Sequence, residues 1–117
     1  MPLVLVSRSK KVSDNLLISI MMGLPTIIAA NLDVPDCPPA RLNPDDVEIQ
    51  HLESSFDIGH FDVQVTVLAG DYERRTENAD ARSDQISLEL LKFLYPGMTC
   101  FCFLFFGKCS FKARTKE

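Results

Sequence analysis

The sequence predicts an α+β fold in which two consecutive β-α-β units form one four-stranded mixed sheet with two helices on one face. Three observations point to it. Apolar runs of strand length begin at Leu3 and at Phe61. Each is followed by a stretch of helical periodicity and then by a second strand-like run. The 117 residues, 46% hydrophobic and 24% charged, suffice for one core and are too few for two domains. We therefore expect a single domain over 1–117, with halves at about 1–56 and 57–111 and a tail at 112–117.

Leu3-Val4-Leu5-Val6 is apolar without polar alternation, as in a strand covered on both faces. Ser13 or Asp14 can cap a helix whose apolar positions Leu16, Leu17, Ile20, Met21, Leu24, Ile27 and Ile28 recur at helical spacing. Gly23 and Pro25 should kink or divide it, because proline cannot donate to the helical ladder. This stretch is long enough to raise the question of a membrane span, but Ser19, Gly23, Pro25, Thr26 and Asn31 interrupt it, and a buried helix is the better reading. Four of the seven prolines fall between Val34 and Asp45, so that segment should be an extended loop.

Val47–Leu52 alternates partially and Phe61–Val67 strictly, which gives strands two and three. From Thr76 onward, Ala79, Ile86, Leu90 and Phe93 share a helical face, and Pro96-Gly97 ends the pattern. Met98–Phe106 is apolar at nearly every position, which suits a central strand or one covered by another subunit. Two arrangements share this element order. One sets the two β-α-β units side by side, and the other is the ferredoxin-like sandwich.

Charge and cysteine usage narrow the function classes. Twelve Lys+Arg against sixteen Asp+Glu leave a net charge of -4, so no nucleic-acid or anionic-membrane partner is expected. The cysteines at 37, 100, 102 and 109 form no CxxC pair, and the N-terminus lacks the pattern of a secretory signal, so free thiols in the cytoplasm are expected. Cys100 and Cys102 share a strand face, but among Phe101, Phe103, Phe105 and Phe106 they read as small buried hydrophobes and not as zinc ligands. His51 and His60 have no metal-ligand spacing, and phosphate-binding glycine motifs and the hydrolase nucleophile elbow are absent. Neither a cofactor nor a metal is predicted.

Met1-Pro2 followed at once by a hydrophobic strand resembles the tautomerase superfamily, the family of 4-oxalocrotonate tautomerase and macrophage migration inhibitory factor. Val65-Thr66-Val67-Leu68-Ala69-Gly70 before a polar turn, and Phe106-Gly107-Lys108-Cys109-Ser110-Phe111 after the last strand, add to the resemblance, which spans most of the chain. It implies a homotrimer in which Pro2, freed by removal of Met1, is the general base in a proton shift on an anionic 2-oxo acid or its enol. A free N-terminal proline is a secondary amine, and apolar or cationic surroundings would lower its pKa toward neutrality. While Met1 remains, that nitrogen is an amide and cannot act.

The same chemistry needs a clamp for carboxylate, for which arginine is suited by its planar fork. Arg8, past the first strand, and Arg74 and Arg75, in the turn after the third, are the candidates, and solvated turn residues are the alternative reading. Phe111 could supply part of an apolar wall or simply pack. Where 4-oxalocrotonate tautomerase carries a second-strand arginine, this chain offers Glu48, which would repel a carboxylate. Superfamily members that add water to unsaturated acids use a carboxylate to activate it, so Glu48 suggests a hydratase-like variant or a surface carboxylate. The lysine, tyrosine and asparagine of the cytokine pocket have no counterpart at Leu32, Asp33 or Cys100–Cys102. A second reading, of another class, is a non-catalytic assembly or binding module of this or the ferredoxin-like fold, with 99–106 as its oligomerisation strand.

Overall fold

The computed structural model of the protein describes residues 2–53, 61–107 and 114–116. The strands are β1 (Leu3–Arg8), β2 (Glu48–His51), β3 (Val63–Gly70) and β4 (Cys100–Gly107). The helices are α1 (Asp14–Leu32), the single turn α2 (Glu73–Thr76) and α3 (Ala79–Leu91). The sheet order is β2-β1-β3-β4. β1 runs parallel to β2 and antiparallel to β3, and β3 runs parallel to β4.

In a split β-α-β arrangement another strand would separate each parallel pair. Here both pairs are direct neighbours, which excludes the ferredoxin-like alternative and leaves two units side by side. The antiparallel β1–β3 ladder, from Leu3 against Leu68 to Arg8 against Val63, joins the halves.

Alternation along that ladder sorts the side chains. Val4, Val6, Val63, Val65, Val67 and Ala69 point to the helix layer and are buried. They meet Leu16, Leu17, Ile20, Leu24, Ile28 and Leu32 of α1 and Ile86 and Leu90 of α3 in one core. The helix that by length and apolarity could cross a membrane is thus the core helix of this fold. On the opposite face Leu3 and Leu5 are half-buried, and Leu68, Phe103 and Phe105 are exposed, the last two at 47% and 54%.

Several elements differ from their sequence expectation. α1 is undivided, with Pro25 inside it. Proline removes one N–H from the ladder, but fully buried Leu24 and Ile28 fix the helix on either side of it. Ser13 is the cap, its Oγ accepting from the Leu16 N–H at 3.2 Å. The proline-rich loop holds two 3-10 turns, Pro38–Ala40 and Pro44–Asp46, each with proline at its start where no N–H is needed. The turn after β3 holds the single helical turn α2, and the expected second helix is α3, which starts at Ala79. β4 is an edge strand of the chain and not a central one.

Two contacts fix this frame. Ideal Cβ geometry at Gly23 would put the added atom 2.6 Å from Phe93 Cζ, so glycine makes the slot into which α3's trailing ring fits. At the far end of the sheet the Asp62 carboxylate accepts from Ser9 Oγ at 2.7 Å and from the Thr99 N–H at 3.0 Å, tying the end of β1 to the starts of β3 and β4. The Ser9 hydroxyl first, and then the Thr99 N–H, hold the Asp62 pKa below the usual carboxylate value.

Gly23→Val should therefore lower unfolding free energy by about 1–2 kcal/mol in urea denaturation, because overpacking outweighs the helix-propensity gain of at most about 1 kcal/mol. A depressed native pKa means that Asp62 contributes stability above the unfolded value of about 4, and that the contribution is lost as pH falls through the lower native value. Melting curves of Asp62→Asn between pH 7 and pH 2 should show a lower Tm at neutral pH and a shallower acid limb than the parent.

Candidate functional site

Pro2 immediately precedes β1 and is buried. Its carbonyl accepts from the Glu48 N–H at 3.0 Å. One step beyond the Leu3–Leu68 pair, the β1–β3 register sets Pro2 opposite Ala69, beside Gly70 at the end of β3. The N-terminal end of β1 therefore meets the C-terminal end of β3 here, together with the end of α1 and the turn that carries Arg74 and Arg75.

Arg75 organises this corner. It is 2% exposed, with Nε donating to the Leu32 carbonyl at 2.9 Å, Nη1 to Gly70 at 3.1 Å and Nη2 to Ala40 at 2.9 Å. Its guanidinium carbon lies 5.1 Å from the centre of the Tyr72 ring. One side chain thus ties the end of α1, the proline-rich loop and the end of β3. α1 has no basic residue in its own last turn, and its C-terminal carbonyls are held from the second half of the chain. Arg82 assists, with Nη1 donating to the Asn31 carbonyl at 2.6 Å and Nε to Asn78 Oδ1 at 2.6 Å. Burial, and then the neighbouring Arg82, push the Arg75 pKa below its ordinary value, while Tyr72 and Asp33 oppose the shift. Burial also lowers that of Arg82, against Asp33 and Glu77.

Arg74 is an open cation at this end, as is Arg41, which pairs with Asp33 Oδ1 at 3.2 Å. Arg74 Nη1 donates to Asp36 Oδ2 at 2.5 Å, and the side chains of Arg74 and Asp36 are mostly exposed. Such a surface pair is worth about 0–1 kcal/mol, so an incoming carboxylate can displace Asp36 at little cost. Glu48 is exposed and accepts from Gln50 Nε2 at 3.2 Å. It pairs with Leu3, whereas buried Pro2 falls in the alternation of Val4, so Glu48 and Pro2 leave the sheet on opposite faces.

Arg8 stands at the other end of β1, six residues from Pro2 and about 20 Å away at about 3.3 Å per residue. It pairs with Asp14 Oδ1 at 2.6 Å and Glu53 Oε1 at 2.7 Å, and these partners, Glu53 foremost, raise its pKa. The structure thus places Pro2, Arg74 and Arg75 at one end of the sheet and Arg8 at the other. Phe111, Met1 and His60 lie outside the described residues. His51 is close to Arg8's partner instead, with a buried Nε2 that has no hydrogen bond among the described residues and lies 3.9 Å from Glu53 Oε1.

Sequence reasoning missed Asp36, Arg82 and Asp62. Asp36 and Arg82 become partners of the site only when the loop after α1 folds against α2 and α3, over 38 and 51 residues of intervening chain. The one local signal was Asn78 four residues before Arg82, a spacing that joins side chains on a helix.

No family model and no curated protein sequence matches the chain. Solved structures do resemble it. A malonate semialdehyde decarboxylase, FG41, inhibited by 3-bromopropiolate, superposes with a TM-score of 0.64 at 15% identity, covering 97% of this chain and 91% of that one. A macrophage migration inhibitory factor-like protein from Entamoeba histolytica gives 0.60 at 12% identity, covering 92% and 89%. A fused 4-OT asymmetric trimer gives 0.59 at 15% identity, covering 91% and 86%. These are structures of the tautomerase superfamily, and the chain has their fold.

Replacing Arg75 would take a donor from the buried Leu32 carbonyl and the part-buried Gly70 carbonyl, at about 1–3 kcal/mol for each group left unsatisfied, and would leave Ala40 with only the Val34 N–H. Arg75→Met should cost about 3 kcal/mol or more in urea unfolding. Arg75→Lys should recover only a minor part, since an ammonium cannot span the three acceptors in the guanidinium's fork.

Proposed function

We propose that this chain is a small tautomerase-superfamily isomerase in which Pro2, once Met1 is removed, is the general base acting on an anionic 2-oxo acid or its enol. The observation that carries the reading is the position of Pro2: buried at the head of a central strand, in the corner held by Arg75 and bordered by the exposed Arg74. The fold shared with FG41 malonate semialdehyde decarboxylase and with 4-OT supports it.

In this reading each group has one task. Apolar surroundings and the buried guanidinium nearby disfavour the protonated secondary amine, which keeps the Pro2 nitrogen basic near neutral pH. Arg74 exchanges Asp36 for the substrate carboxylate and orients it. The amine takes a proton from the carbon next to the 2-oxo group and returns it at another position, so the enzyme finishes unchanged. Arg75, with its fork on three backbone carbonyls, holds the corner and leaves carboxylate binding to Arg74.

The assembly in this proposal is a homotrimer. The exposed face built from Leu3, Leu5, Leu68, Phe103 and Phe105 is too apolar to face water, and a neighbouring copy would cover it. One solved structure of this fold, the fused 4-OT, is a trimer.

A second reading, a non-catalytic assembly module, is favoured by one specific observation: each candidate arginine already has acidic or carbonyl partners, Arg8 with Asp14 and Glu53, Arg74 with Asp36, and Arg75 with the three carbonyls. Two experiments separate the readings. Intact mass of the untagged protein should show loss of Met1, and Pro2→Ala should reduce turnover of 2-oxo acid enols by at least about 100-fold, the usual worth of a general base. A retained Met1, or a Pro2→Ala variant with full activity, would leave the assembly reading standing. Phe103→Glu with Phe105→Glu should convert the trimer to monomer in sedimentation equilibrium, because the charges would have to be buried unpaired.

A further inference from the structure

Cys100 and Cys102 follow the alternation of β4 onto the helix side of the sheet, opposite Val63 and Val65, while Phe101, Phe103 and Phe105 take the other face. Of the aromatic residues read as their surroundings, Phe106 shares the helix side with them, while Phe103 and Phe105 take the outer face. Across from the thiols, α3 presents Asp80, Ser83, Asp84 and Ser87, and the two walls enclose an open cleft of about 340 Å³ that also borders Phe101. Both thiols are free and half-buried, and Cys100 Sγ lies 3.6 Å from the Ser87 carbonyl. Each thiol packs on one side against the hydrophobic core, as small hydrophobes do, and on the other faces this wall of carboxylates and hydroxyls.

We propose that Cys100 and Cys102 form a two-coordinate site for a thiophilic monovalent cation, Cu(I), entering through the cleft between α3 and β4. The coordination number follows from the surroundings. Among the described residues no three His, Cys, Asp or Glu groups are placed to hold one ion, so these residues offer a pair of thiols and no closed tetrahedral zinc site. Two thiolates alone suit a soft ion, which Cu(I) is. Residues two apart on a strand have Cα atoms about 6.6 Å apart. A linear sulfur–metal–sulfur unit spans about 4.6 Å at about 2.3 Å per bond, so the two side chains need only lean toward each other. Asp80 and Asp84 give the cleft a negative potential that draws a cation in.

Binding is proton-coupled: two thiols and one Cu(I) give one bis-thiolate complex and two protons, with no change of oxidation state. The protons released pass to solvent through the open cleft. This proposal is independent of Pro2 and of any turnover.

The test is anaerobic competition of the full chain with bathocuproine for Cu(I). One ion per chain is expected, with two sulfur scatterers in X-ray absorption. Cys100→Ser or Cys102→Ser should weaken binding by more than about 100-fold, beyond the 10–100-fold typical of outer-shell changes, and Cys37→Ser should not. In the unaltered protein, Cu(I) should shield Cys100 and Cys102 together from iodoacetamide and leave Cys37 reactive, a readout that survives if a variant misfolds. Undiminished affinity in a folded Cys100→Ser or Cys102→Ser variant, or alkylation of either thiol in the Cu(I)-loaded protein, would overturn the proposal.

Discussion

The antiparallel register of β1 against β3 is the constraint on which the rest of the molecule depends. Leu3 against Leu68 and Arg8 against Val63 leave no freedom about which side chains meet the helices, because a shift by one residue would send Val4, Val6, Val65 and Val67 outward and Leu3, Leu5 and Leu68 inward. The strictly alternating burial of β3 and the complete burial of those valines tie the ladder to this register. It also creates the molecule's unmet need, since a sheet with helices on one side only leaves Phe103 and Phe105 in water unless something covers them.

A second consequence concerns the ends of the strands. Joining two β-α-β units through their first strands brings the start of β1 to the end of β3, and with them the end of α1 and the turn before α3. Carbonyls accumulate at such a corner, because the last turn of a helix and the end of a strand leave acceptors without partners. Arg75 answers with three donors, and Arg82 with another on Asn31. Among the described residues the Arg75 cation is held by hydrogen bonds to carbonyl oxygens and not by a carboxylate, so its charge is less cancelled than that of an ion pair would be.

Most of the fold was legible because it rests on periodicity. The strand runs at Leu3 and Val63, the helical spacing from Leu16 to Ile28 and the polar break at Val34–Asp45 all reported a choice between periods of 2 and 3.6. What was not legible came from long-range partners. Pro25 reads as a breaker in any local rule, and only packing of Leu24 and Ile28 against the sheet keeps α1 whole. The apolarity of β4 reads as a central strand or as one covered by another subunit, and its edge position, which removes the first, depends on which strand pairs with which. Within the site, Pro2 was visible as a residue and its corner was not. Arg75 and Arg74 are adjacent in sequence and alike in chemistry, yet one is sealed under three carbonyls and the other is open at the surface. The difference is set by the direction each leaves a four-residue helix, which no spacing rule reaches.

The same reasoning explains how the fold can agree with solved structures over nine-tenths of the chain at only 12–15% identity. The register demands apolar residues at alternate positions of β1 and β3 and a helical stripe above them, and many side chains of similar volume meet that demand. Glycine at position 23, a donor for the corner carbonyls and an apolar outer face are stricter requirements, but each involves one or two residues. Chemistry is stricter still. A basic amine at Pro2 needs a cleaved Met1, and a clamp needs an arginine that can let go of its partner. Arg74 is exposed and loosely paired, whereas releasing Arg75 would unpin the corner. Under the proposed function two adjacent arginines would divide the labour, one spent on structure and one left to exchange ligands, so that binding would not weaken the joint that holds the corner.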